Sequence, residues 1–184
     1  MIFTPVPIQG AFLVDLEPVA DDRGSFARAF CKRELTGAGI EFEVVQCNLA
    51  RSVNAGVVRG LHYQLPPAEE RKLVRCVAGS IFDAIADLRP GSPTYLQAWW
   101  TELDAVERQA LLIPPGVAHG YQSLEAGTEV FYMTDQFYTP DLETGVRYDD
   151  PVLGIPWPLP VGELSPRDSR WPLLGVAGDG GGEA

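Results

Sequence analysis

The sequence predicts an all-β sandwich or barrel, and three observations carry that prediction. Nineteen glycines and 16 prolines are spread along 184 residues and cut the chain into short runs. The runs between them have strand length and do not alternate with long helical segments as βα units would. No internal repeat of solenoid or propeller period is present.

Taken in order, strands are predicted at Ala11–Leu16, Ser25–Phe30, Glu43–Leu49, Gly56–Tyr63, Lys72–Ala78, Ser80–Leu88, Gln109–Ile113 and Glu129–Tyr138. A helix is predicted near Cys31–Ala38, closed by Gly39, and a second near Glu102–Gln109. Pro151, Pro156, Pro158, Pro160, Pro166 and Pro172 make the Pro151–Leu174 segment an irregular wrap over the sandwich, pinned by Trp157 and Trp171. The organisation expected is one domain over residues 1–175 and a flexible Gly-rich tail over 176–184, ending in GDGGGEA.

Composition narrows the function. Hydrophobic residues at 46% and charged residues at 21% supply a core and exclude disorder along the whole chain. Fourteen Lys and Arg against 25 Asp and Glu leave a net charge of −11, which argues against a nucleic-acid partner. Cations gathered in one place are therefore informative. Cys31, Cys47 and Cys76 are odd in number and lack CxxC spacing, so they read as reduced thiols of a cytoplasmic protein. The first basic residue is Arg23, unlike a signal peptide, and no apolar run reaches the roughly 18 residues of a membrane span.

Histidine is scarce. His62 and His119 are the only two, and His62-Tyr63-Gln64 lacks the His-x-His pair of a metal-binding cupin, so no metal is expected. On a regular strand His62 shares a face with Gly60 and Gln64, while Arg59 points away; a bulge at Gly60 would bring Arg59 to the same side. Lys72 projects from the otherwise apolar row Val74, Cys76, Ala78, which calls for a partner or a purpose. His119 follows the turn Ile113-Pro114-Pro115-Gly116. Tyr132 and Tyr138, six apart, share a face if their strand is regular. Each has a plain reading: a core histidine, packing tyrosines, a snorkelling lysine, Arg23 offsetting Asp21 and Asp22, and Asp168 as a turn residue. Taken singly, none decides.

The combination does. Asp22-Arg23-Gly24-Ser25-Phe26, Gln46-x-Asn48, Arg59-Gly60-Leu61-His62-Tyr63-Gln64, Lys72-Leu73-Val74-Arg75, Ile113-Pro114-Pro115-Gly116-Val117-Ala118-His119-Gly120 and Leu164-Ser165-Pro166-Arg167-Asp168 occur in that order. Together they resemble the dTDP-4-dehydrorhamnose 3,5-epimerase family from about Thr4 to Leu174. The resemblance implies a cupin-type jelly-roll β-sandwich with a few short helices, a homodimer without metal or cofactor, and a nucleotide-diphosphate sugar as substrate. It implies His62 as base with Asp168 as its orienting partner, Tyr132 as proton donor, and Lys72 near the sugar C4 oxygen. Arg23, Arg59 and His119 match diphosphate- and sugar-binding positions, and Gln46 and Asn48 match nucleotide contacts. Tyr138 matches the base-stacking position, and Phe26, Glu143 and Arg167 match further binding positions. Arg28 stands where rhamnose-pathway members carry Glu, so it either meets the ligand or pairs with an acid.

The implied chemistry needs these residue types. A C–H beside a ketone is weakly acidic, so its removal takes a positioned base and a cation at the developing oxyanion. Inversion then takes a proton from the opposite face. The expected function is epimerisation at C3, C5 or both of a 4-keto-6-deoxyhexose nucleotide. The alternatives are a single-centre epimerase on a related nucleotide sugar, a 3,4-ketoisomerase, or a non-catalytic sugar-nucleotide-binding cupin.

Overall fold

A computed structural model describes residues 1–175; the predicted tail lies outside them. The strands are β1 (Ile2–Pro5), β2 (Phe12–Asp15), β3 (Val19–Asp21), β4 (Gly24–Phe26), β5 (Gln46–Ser52), β6 (Val58–Gln64), β7 (Lys72–Ala78), β8 (Ser80–Asp87), β9 (Ala98–Asp104), β10 (Ala110–Ile113), β11 (Val117–Ser123), β12 (Thr128–Thr134) and β13 (Glu143–Gly145). One α-helix, α1 (Lys32–Gly37), and two 3₁₀ turns complete the regular structure. A six-stranded sheet, β1-β2-β10-β7-β12-β5, faces a five-stranded sheet, β13-β6-β11-β8-β9, while β3 and β4 form a separate hairpin. All the strand pairs are antiparallel. The all-β prediction holds.

Three apolar layers follow from strand alternation. Val74, Cys76, Ile81, Ile85, Leu111 and Val130 fill the space between the sheets. The outer face of the five-stranded sheet (Phe82, Ala84, Ala118) is covered by Val146, Leu153, Ile155 and Trp157 of the irregular wrap. The outer face of the six-stranded sheet (Leu73, Leu112) is covered by Leu35 of α1 with Ile40 and Phe42. Burying both faces of both sheets is what a 20 kDa chain needs to offset its ordering entropy.

Two sequence expectations are corrected. The predicted helix at Glu102–Gln109 is strand β9 as far as Asp104, because Leu103 is buried opposite Ile81. The Asp104 carboxylate then accepts from the Val106 and Glu107 N–H groups and closes a turn. The predicted strand Ser25–Phe30 ends at Phe26, since Phe30 turns inward against Phe42 at a 5.9 Å ring separation.

Candidate active site

A bulge in β6 builds the site. Across β6 and β11, His62 pairs with His119 and Arg59 with Tyr121, so β6 uses three steps where β11 uses two. Gly60 sits in the bulge at φ +95, and a Cβ there would overlap the His119 carbonyl oxygen and lie 2.7 Å from Gly120 Cα. Only glycine fits. The extra residue reverses the alternation, and Arg59 and His62 line one cavity.

That cavity opens between the two sheets. The five-stranded sheet supplies Arg59, His62, His119 and Glu143, and the six-stranded sheet supplies Lys72 and Tyr132. Leu164 bridges to Val58, which brings Ser165, Arg167 and Asp168 of the wrap to the rim. An adjoining lobe holds Gln46, Asn48, Gln64, Glu70 and Tyr138. Gln46 and Asn48 share the inner face of β5, hydrogen-bonded at 3.1 Å, while Cys47 faces out. Tyr138 lies beyond the end of β12, so it reaches the lobe from a loop and not by strand alternation with Tyr132.

The electrostatics favour neutral acid–base groups. Burial, and then the Lys72 charge, push the His62 imidazole down to about 3. It is neutral at pH 7 although its side chain keeps 31% exposure to the cavity. Burial, then the Glu70 charge, hold the Tyr132 hydroxyl above the usual phenol range. Lys72 Nζ is 2.8 Å from Glu70 Oε1, with both side chains buried. His119 Nε2 is 2.5 Å from the fully buried Asp83 carboxylate, which fixes the ring's orientation.

Other sequence-predicted residues fall differently. No hydrogen bond or ion pair joins His62 to Asp168 among the described residues. Asp168 begins a 3₁₀ turn that aims its carboxylate at Trp171 Nε1, 3.4 Å away. The acid beside His62 is Glu143, with Oε1 3.6 Å from Nδ1, because β13 docks on β6. Glu143 also ion-pairs with Arg167 and accepts from the Tyr138 hydroxyl at 2.9 Å. Arg23, Phe26 and Arg28 do not line the cavity. Arg23 pairs with Asp21 at the tip of the β3–β4 hairpin, and Phe26 is 74% exposed. Arg28 pairs with Glu34 at 3.0 Å, the acid-pairing alternative of the sequence analysis.

Sequence reasoning missed Glu70 and Asp83. An acid inside the apolar run Ile81-Phe82-Asp83-Ala84-Ile85 was a usable signal, since a buried carboxylate needs a partner. Glu70 gave a weaker one, two residues ahead of the inward-facing lysine. Among the described residues, no group of three His, Cys, Asp or Glu side chains is placed to hold a metal ion.

Comparison with known proteins places this geometry. The family model described as dTDP-4-dehydrorhamnose 3,5-epimerase matches residues 5–175. A Sinorhizobium fredii dTDP-4-dehydrorhamnose 3,5-epimerase is 37% identical over 95% of this chain and 90% of its own. A Streptomyces niveus dTDP-4-dehydrorhamnose 3-epimerase is 38% identical over 98% and 87%. The crystal structure of the Bacillus anthracis 3,5-epimerase with TDP and pyrophosphate bound superposes with a TM-score of 0.91 at 38% identity, covering 94% of this chain and 99% of that one. A cupin-type sandwich whose ordered motifs and whose residues 5–175 match in this way belongs to the dTDP-4-dehydrorhamnose 3,5-epimerase family of enzymes.

Proposed function

We propose that the chain epimerises a dTDP-4-keto-6-deoxyhexose by removing a proton next to the C4 ketone and returning one on the opposite face. The observation that carries this reading is that His62 and Tyr132 stand on facing sheets around one cavity, each in its neutral form. Neutral His62 accepts the proton from carbon, and the ammonium of Lys72 steadies the enolate oxygen. Tyr132, with its proton held, delivers from the other side. Arg59 and Arg167 give this acidic protein a local cationic mouth for the diphosphate, with His119 beside them as a hydrogen-bonding group. Gln46, Asn48 and Tyr138 line the adjoining lobe, where the nucleotide is placed. Glu143 stands beside His62 and pairs with Arg167 at the rim, where Asp168 holds the wrap through Trp171.

We further propose a homodimer in which the hairpin of one copy reaches the cavity of the other. Arg23 and Phe26 match substrate-binding positions yet project away from their own cavity, together with the exposed Val19. Three unbridged cysteines suit a reducing compartment, and we place the enzyme in the cytoplasm. No helix of the described residues is long and apolar enough to cross a membrane.

The test is incubation with dTDP-4-keto-6-deoxy-D-glucose in D2O, followed by proton NMR of the sugar. Deuterium at C3 and C5 with an L-configured product is the result expected of a 3,5-epimerase. Label at one carbon identifies a single-centre epimerase, a reading kept open by the 3-epimerase from Streptomyces niveus. No label with folded protein overturns the proposal for this sugar.

A further inference from the structure

Glu70 is held on both of its carboxylate oxygens beside the two groups that the proposed chemistry depends on. Oε1 is 2.8 Å from Lys72 Nζ, and both side chains are only 8% exposed. Oε2 accepts from Gln64 Nε2 at 2.6 Å. Gln64 is itself immobilised: its two Nε2 hydrogens are shared among Glu70 and the Ala68 and Phe137 carbonyls, and its own oxygen accepts from the Thr139 N–H. The carboxylate therefore cannot swing away from the lysine without breaking a network that ties β6 to the segment after β12.

We propose that Glu70 is a positioning residue: its carboxylate fixes the Lys72 ammonium in the cavity and sets a negative charge in the same lobe that Tyr132 lines. The inference rests on the roles of Lys72 and Tyr132 given above. Two physical arguments support it. Lys72 emerges from the row Val74, Cys76, and a desolvated ammonium there needs a counter-charge to stay charged and in place. A carboxylate close to a buried phenol disfavours a second negative charge, and Glu70 is the strongest charge acting in that sense on Tyr132 after burial itself. The opposing influence is Arg59 of β6; Tyr138 acts weakly with Glu70. His62 of β6, His119 and Tyr121 of β11, Glu143 of β13, and Arg167 and Asp168 of the wrap complete the ionisable lining.

The alternative is that Glu70 only closes the loop through Gln64, and this predicts a loss of stability with no change in ionisation. The experiment uses the full chain as wild type, Glu70→Gln and Glu70→Asp, each with and without Tyr132→Phe, and circular dichroism to confirm the fold. Tyrosinate absorbance is followed against pH, and the difference made by Tyr132→Phe isolates the Tyr132 phenol. In Glu70→Gln that phenol is expected to titrate at a lower pH than in the wild type. Glu70→Asp, which keeps the charge, should restore most of the difference. The alkaline limb of kcat should shift the same way, and kcat at pH 7 should fall about 10- to 100-fold as Lys72 loses its anchor.

An unmoved Tyr132 titration in folded Glu70→Gln overturns the proposal. If Glu70→Gln does not fold, Glu70→Asp decides: its shorter side chain holds the charge farther off, so a Tyr132 titration lowered part of the way supports the charge effect, and one identical to wild type overturns it. Because the titration needs no substrate, it reads Glu70 even if the chain fails to turn over this sugar, so the two readings fail separately.

Discussion

Arg59 and His62 stand three residues apart on one strand and still face the same cavity, because β6 carries an extra residue at Gly60 opposite β11. An odd spacing on a regular strand would put them on opposite faces. Gly60→Ala would meet the His119 and Gly120 backbone at a positive φ. It is expected to cost about 2 kcal/mol or more of stability, and to lower kcat/KM by displacing both side chains. Chemical denaturation and steady-state kinetics check it. Wild-type values in both would mean that the cavity does not depend on the bulge.

His62 and Tyr132 come from different sheets, and their variants should therefore fail differently. His62→Ala is expected to abolish deuterium incorporation from D2O at every sugar carbon. Tyr132→Phe is expected to retain exchange at one centre, through His62, while losing inversion. Each loss should be on the order of 100- to 10,000-fold. NMR of the product separates exchange from inversion, and normal epimerisation by His62→Ala would remove it from the role of base.

The His62 imidazole also links stability to pH. Its folded value, pushed down to about 3 by burial and by Lys72, lies below the 6.5 of a free histidine. Between those two values the unfolded chain binds a proton that the folded chain refuses, so stability falls as the pH drops through that window. At pH 5 the penalty relative to pH 8 should be about 1–2 kcal/mol. Denaturation midpoints of wild type and His62→Gln at the two pH values measure it. The variant's curve should be flatter by that amount, and an equal slope would contradict the burial of a neutral ring.

How far the sequence carried this picture depends on whether each feature is local. β7 was legible to the residue, because Lys72–Ala78 is a β-rich run of strand length closed by Gly79, and it is buried on both faces. The bulge was legible because a glycine stood between two residues whose types belonged together. β9 was not, since Glu102 to Gln109 is polar enough to pass for a surface helix, and only the burial of Leu103 under the facing sheet makes it a strand. The partners of the site residues were the least legible. Glu143 reaches His62 through a β13–β6 pairing about 80 residues apart in the chain, and Asp168 is aimed at Trp171 by a turn that no spacing announces. Arg23 and Phe26 matched binding positions through the resemblance alone, and neither lines the cavity of its own chain.

Whether the hairpin serves its own cavity or the neighbour's can be decided by mixing two impaired chains. If the hairpin serves the neighbouring copy, a heterodimer of Arg23→Ala and His62→Ala chains contains one cavity with both lesions and one with neither. Arg23→Ala should raise KM by about 10-fold or more through loss of a charged contact, while His62→Ala removes turnover. Mixing the two, with unfolding and refolding to exchange subunits, makes half of the dimers mixed and should restore wild-type KM in about one quarter of the cavities. If Arg23 serves its own cavity, every cavity keeps one lesion and only the high-KM activity of the Arg23→Ala chain survives. A low-KM fraction appearing on mixing is thus the expected outcome; its absence despite heterodimers detected by mass spectrometry would assign Arg23 to its own cavity, and a wild-type KM in the Arg23→Ala chain alone would place Arg23, exposed at 89% beside Asp21, outside the binding machinery.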